Sequence, residues 1–211
     1  MAMKTLLLTS ALLFANVAQG QTRQVDRKVY ENYSFDFSAH KRPIAYTTYG
    51  NALELNSKVK LNPAVNDRYG AYVFDGKLKD EVFEIEMEFT VASELNRSRG
   101  FMMILSQNEF QEEEFSDSHI GYRTDFEGFS VYVFRHQARE NKWFVMTLQN
   151  QGGRSPLRLD GHMYSGLRNN NHCEIDMEKG VRTGIRITVN KSQILTLVKD
   201  SDDVFYRQCN N

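Results

Sequence analysis

Charge of one sign, long apolar runs, tryptophan and proline are what this 211-residue chain has little of. Lys and Arg number 26 against 27 Asp and Glu, a formal net charge of −1. No basic block interrupts that balance, so nucleic-acid binding has no electrostatic footprint here. After the first twenty residues the longest purely apolar run is Phe101-Met102-Met103-Ile104-Leu105. That is the size of a buried strand and far below the ~20 residues of a membrane span. A single tryptophan leaves no row of indole subsites for a polysaccharide chain. Internal repeats, low-complexity linkers, a Gly-x-Ser-x-Gly elbow and a phosphate loop are all missing. The five histidines, His40, His119, His136, His162 and His172, fall at no metal-ligand spacing.

The one long apolar stretch lies at the start. Lys4 precedes Leu6 to Ala15, which is interrupted only by Thr9 and Ser10, and Ala18-Gln19-Gly20 offers small residues where a signal peptidase reads. A charged start, a short apolar core and a small-residue exit describe a secretory signal peptide over residues 1–20. Residues 21–29 read as a polar lead-in, and 30–211 as one domain large enough to bury a core. In an oxidising compartment the two cysteines, Cys173 and Cys209, are expected to pair. The closed loop would be worth roughly 3–4 kcal/mol on the chain-entropy view. Three sequons begin at Asn32, Asn96 and Asn190 and permit N-glycosylation in that compartment.

What is plentiful points to sheet. Ten Tyr and fourteen Phe recur with Val, Ile and Thr in short alternating runs. From Phe83 to Val91 the odd positions are apolar, whereas Glu84, Glu86 and Glu88 share the other face. Period-two alternation with one charged face predicts an antiparallel strand wetted on one side. Gly100 to Leu105 is apolar on both faces and belongs in the middle of a sandwich, and Phe129 to Phe134 and Trp143 to Leu148 read as further buried strands. Ile185 to Val189, the polar Asn190-Lys191-Ser192-Gln193 and Ile194 to Val198 predict a hairpin. Gln111 to Glu114 and the Gly- and Asn-rich stretch 152–171 predict long loops. The expected fold is all-β, two packed antiparallel sheets.

Several stretches, taken in order, resemble the L-type lectins of the early secretory pathway, the legume-lectin-like cargo receptors for high-mannose glycoproteins. Leu61-Asn62-Pro63 followed by Arg68-Tyr69-Gly70-Ala71 is similar to that family's early strand and turn. Phe83 to Phe89 resembles its acidic alternating strand, and Gly100 to Leu105 and Phe126 to Val133 resemble two of its central strands. Cys173 with Asp176 looks like its Cys-x-x-Asp, and Cys209 stands where the partner cysteine would fall. The resemblance implies a concanavalin A-like jelly roll, a lumenal location in the ER or Golgi or secretion, and binding of glycoproteins or high-mannose glycans. The family's domains continue with a further strand, a Gly-rich loop, a stalk and an anchor, so the sequence is expected to be either a fragment or a truncated paralogue.

The resemblance also implies a calcium-organised sugar site, which needs six to eight oxygen ligands. Its acidic ligands have no counterparts here. Arg99 stands before Gly100, and Phe134-Arg135-His136-Gln137-Ala138 fills the acidic loop. Leu148-Gln149-Asn150-Gln151 occupies the place of a His-x-x-Asp. Arginine offers no oxygen and repels a cation. No metal or other cofactor is therefore expected. The positions left to touch a sugar are Arg99, His136, Gln137, Asn150 and Gln151, unless these are ordinary polar loop residues.

One enzymatic alternative stays open. Glu174-Ile175-Asp176-Met177-Glu178 resembles the strand of laminarinase-type glycoside hydrolases, which share this architecture and use the first and last Glu. Retention needs the carboxyl pair ~5–5.5 Å apart, within reach of a strand face. Glu84, Glu86 and Glu88 repeat the spacing, however, so acidic alternation is a habit of this sequence. The expectation is a non-enzymatic binding module that recognises glycoproteins, or a paralogue in cargo sorting that binds a protein partner and no sugar.

Overall fold

In the computed structural model the described residues are 46–61, 68–74, 76–78, 80–91, 100–114, 126–135, 142–151, 172–191, 193–201 and 203–209. They form twelve strands, with one 3-10 turn at Glu112–Glu114 inside the acidic stretch expected to be loop. Among them no helix is long and apolar enough to cross a membrane.

Two four-stranded antiparallel sheets dominate. The front sheet has the order β6-β7-β8-β9, formed by Gly100–Ser106, Glu127–Arg135, Lys142–Gln151 and His172–Asp176. The back sheet has the order β12-β11-β10-β5, formed by Arg207–Gln208, Ile194–Lys199, Arg182–Val189 and Phe83–Thr90. Two short ladders accompany them, β1 (Tyr46–Gly50) with β4 (Gly70–Phe74) and β2 (Leu53–Leu55) with β3 (Lys58–Lys60).

Alternation decides which residues meet between the sheets. Phe129, Val131 and Val133 of β7, Trp143 and Val145 of β8, and Ile175 of β9 pack in one cluster with Ile185, Ile187 and Val198 of the back sheet. Phe83 and Phe89 of β5 join from one side and Phe101, Met103 and Leu105 of β6 from the other. Phe89 and Phe101 meet edge to face, centroids 4.6 Å apart, the geometry that ring quadrupoles favour. Thr147 of β8 and Thr196 of β11 also point inward and share a 2.5 Å hydrogen bond between the sheets. A hydroxyl buried in such a core needs a partner, and each supplies the other's.

The expected disulfide is present. Cys173 in β9 and Cys209 just beyond β12 are bonded, both buried. The bond therefore ties the front sheet to the chain leaving the back sheet.

Two expectations change in detail. β6, expected mid-sandwich, is apolar-packed on both faces, by the core on one and, at Met102 and Ile104, by the cluster of Val73, Phe126, Tyr49 and Tyr69 on the other. Among the described strands, however, it stands at one end of the front sheet's order. Asn150 and Gln151, given the alternative of polar loop residues, are the last residues of β8, because β7 extends to Glu127 and keeps pairing with them. The second face of the front sheet is as buried as the core: Tyr132, Phe134, Phe144, Met146 and Leu148 cluster there.

Candidate functional site

The register fixes the two ends of the front sheet. At one end Gly100 pairs with Phe134, Arg135 with Trp143, and Lys142 with Asp176. β6 can begin here only on glycine: Gly100 has φ +132°, and a Cβ would lie 1.9 Å from the Val133 carbonyl oxygen. At the other end Asn150 pairs with Gly128 and Gln151 with Glu127. From Trp143 to Gln151 the strand rises ~26 Å at ~3.3 Å per residue.

That distance divides the sugar candidates. Asn150 and Gln151 stand on the far end of β8, away from Gly100 and Arg135, the described neighbours in sequence of Arg99 and His136. Arg99, His136 and Gln137 themselves lie outside the described residues, as do Asn32 and Asn96. The backbone thus does not bring Asn150 and Gln151 together with the Gly100–Arg135 end.

The Gly100–Arg135 end is rich in built contacts. Lys142 Nζ lies 2.6 Å from Asp176 Oδ2. The turn after β11 folds over the edge of β9. Asp176 N donates to Asp200 Oδ1 at 2.5 Å, Ser201 N to the Asp176 carbonyl at 3.1 Å, and Glu178 N to Ser201 Oγ at 2.8 Å. Arg207 completes the brace, donating to both Asp200 oxygens and, at 2.6 Å, to the Glu174 carbonyl. Asp176 and Asp200 therefore each already hold a cation, Lys142 and Arg207.

Calcium does not suit the groups placed here. Arg135 and Lys142 bring two positive charges to this end, and the Asp176 carboxylate already has its counter-charge in Lys142. Among the described residues no group of three or more His, Cys, Asp or Glu could hold a metal ion.

The hydrolase-like residues are also placed. Glu174 and Asp176 face away from the core, β9 ends at Asp176, and Glu178 lies beyond the strand. Asp176 and Glu178 are exposed to water, which gives neither the desolvated setting of a general acid. His172 stacks edge to face on Phe144, 5.3 Å between centroids.

Sequence reasoning found the acidic stripe Glu84, Glu86, Glu88 but missed its partners. On the back sheet's outer face, Arg186 lies 3.6 Å from Glu84 and 2.8 Å from Glu86. Glu88 meets Lys199 at 2.8 Å and Arg182 at 3.2 Å. The Lys199 hydrogen bond chiefly holds the Glu88 carboxyl below its ordinary pKa. Tyr206 donates to Glu86 at 3.0 Å beneath the Arg186 guanidinium, 4.3 Å from the ring centroid. Burial, then the Glu86 bond, pushes its phenol well above the usual range. The available signal was the even numbering shared by Arg182 and Arg186, which places both on one face of β10.

Neither a sequence-family profile nor a curated protein sequence matches the chain. Solved structures do. The lumenal domain of VIP36 in its calcium- and mannose-bound form superposes with a TM-score of 0.62 at 14% identity, covering 80% of this chain and 69% of that one. The metal-free form of the same domain gives 0.65 at 13% identity, covering 86% and 77%. A legume lectin-like domain from Entamoeba histolytica gives 0.56 at 10% identity, covering 79% and 74%. The fold is that of an L-type lectin-like β-sandwich.

Proposed function

We propose that this chain is a carbohydrate- or glycoprotein-binding, lectin-like module of the secretory pathway, not an enzyme, and that it binds without calcium. Its lectin-type sandwich supports the first half, since the VIP36 domain of the same fold is known with mannose bound. The observation that carries the second half is the Lys142–Asp176 contact at the Gly100–Arg135 end, where a tethered ammonium stands against the carboxylate. The leader-like first twenty residues and the Cys173–Cys209 bond support a lumenal or secreted location.

At that end the ligand would meet the Arg135 guanidinium, the Lys142 ammonium and backbone groups; Arg99, His136 and Gln137, next to this end in sequence, are the further candidates. Such donors hydrogen-bond hydroxyl and carboxylate oxygens of a sugar directly.

A glycan array probed with the disulfide-intact chain, with and without chelator, tests this. Binding that persists in chelator is the expected result. Binding abolished by chelator and restored by calcium overturns the metal-free half. No binding to any glycan overturns the sugar half and leaves protein recognition, which exposed Val204 and Phe205 (80% and 82%) favour as the second reading.

A further inference from the structure

The hairpin joining β10 to β11 turns on a sequon, Asn190-Lys191-Ser192. Val189 and Ile194 close the ladder. Asn190 N donates to the Gln193 carbonyl at 3.0 Å, and Gln193 N returns a 2.9 Å bond to Asn190 Oδ1. The folded turn thus uses the amide oxygen of Asn190, whereas N-glycosylation takes place at Nδ2 and leaves that oxygen an acceptor.

A second feature faces the same turn. β5 pairs with β10 so that Phe83 lies opposite Val189, which puts Val82 across from Asn190. Val82 is 56% exposed, among the most exposed large apolar residues described. Beside it Lys191 and Glu81 form a solvent-exposed pair at 3.3 Å. Apolar surface at a polar turn is what the first sugars of an N-linked glycan can cover with their C–H faces.

The hairpin also stands clear of the candidate site. Phe89 near Phe101, and Ser201 against Asp176, place the Arg182–Lys199 end of the back sheet over the Gly100–Arg135 end of the front one. Asn190 lies at the opposite end of β10.

We infer that Asn190 carries an N-linked oligosaccharide in the folded protein, lying over Val82 at the pole remote from the ligand end. The donor is a lipid-diphosphate-linked oligosaccharide. A bond forms between Asn190 Nδ2 and the anomeric carbon, the anomeric C–O bond to the diphosphate breaks, the lipid diphosphate leaves, and Nδ2 gives up one proton. This rests on the secretory reading above, since the transfer occurs only in that lumen.

The test is the full chain expressed in glycosylating cells, followed by intact mass before and after glycosidase and by thiol alkylation. Ser192→Ala removes the sequon while keeping the Asn190 oxygen, and Ser192→Thr retains it. The expected result is loss of one glycan mass in Ser192→Ala and Asn190→Gln and its retention in Ser192→Thr. An unchanged mass in Ser192→Ala, with Cys173 and Cys209 protected from alkylation, overturns the inference and spares the secretory reading. Unmodified chain with both thiols alkylated overturns both.

Discussion

Tyr206 stands where a side chain on Gly184 would have to be. A Cβ built on Gly184 would come 2.4 Å from the Tyr206 hydroxyl and 3.1 Å from the ring carbon that bears it. Glycine inside a strand is unfavourable, and here it lets a phenol lie flat across the back sheet to reach Glu86. Gly184→Ala should displace that hydroxyl and cost about 1 kcal/mol, the net worth of one such hydrogen bond. In a Tyr206→Ala background the same change should be neutral or stabilising. Urea unfolding of the two singles and the double checks the coupling.

The Thr147–Thr196 bond makes a different kind of pair. Thr147→Val or Thr196→Val alone strands a hydroxyl inside the core and should cost about 1–3 kcal/mol. The double valine removes both polar groups and should cost less than the two singles added together. Chemical denaturation at constant pH measures it.

Reduction of Cys173–Cys209, or Cys173→Ala with Cys209→Ala, should lower unfolding stability by about 4 kcal/mol, from the entropy of a 36-residue closed loop. Comparing denaturation midpoints with and without reductant checks the size.

Acid should loosen the back sheet. Glu88 has its folded pKa depressed, chiefly by the Lys199 hydrogen bond. Its contribution is therefore complete above the ordinary carboxylate range and fades as pH falls through the lower folded value. Lys199→Met should flatten the stability profile in that window while leaving the neutral-pH fold intact, as thermal melts from neutral to acid pH would show.

Because Arg135 and Gln151 lie at opposite ends of the front sheet, one binding site cannot draw on both. Alanine at Arg135 and Lys142 should weaken glycan binding at least tenfold, whereas Asn150→Ala with Gln151→Ala should leave it within twofold. A titration against the best array ligand decides; the reverse pattern moves the site to the other pole.

The strands were legible because their pattern is local. Phe83 to Phe89 announces its two faces by alternation alone, and the Asn190 turn announces the hairpin around it. What could not be read was which segments share an end. Asn150 and Gln151 are polar enough to pass for a loop, yet β7 supplies a partner for each of them; only the ladder reveals that. The cations facing Glu86 and Glu88 were hidden for the same reason: 100 residues separate Arg186 from Glu86. Periodicity shows a face; register shows who stands across from it.

The Cys173–Cys209 bond carries a consequence for synthesis. Its second sulfur leaves the ribosome only after every described strand of both sheets has been made. Until then Cys173 has no partner cysteine within its own chain. The staple can close only once residue 209 arrives, so it joins strands that have all already been made.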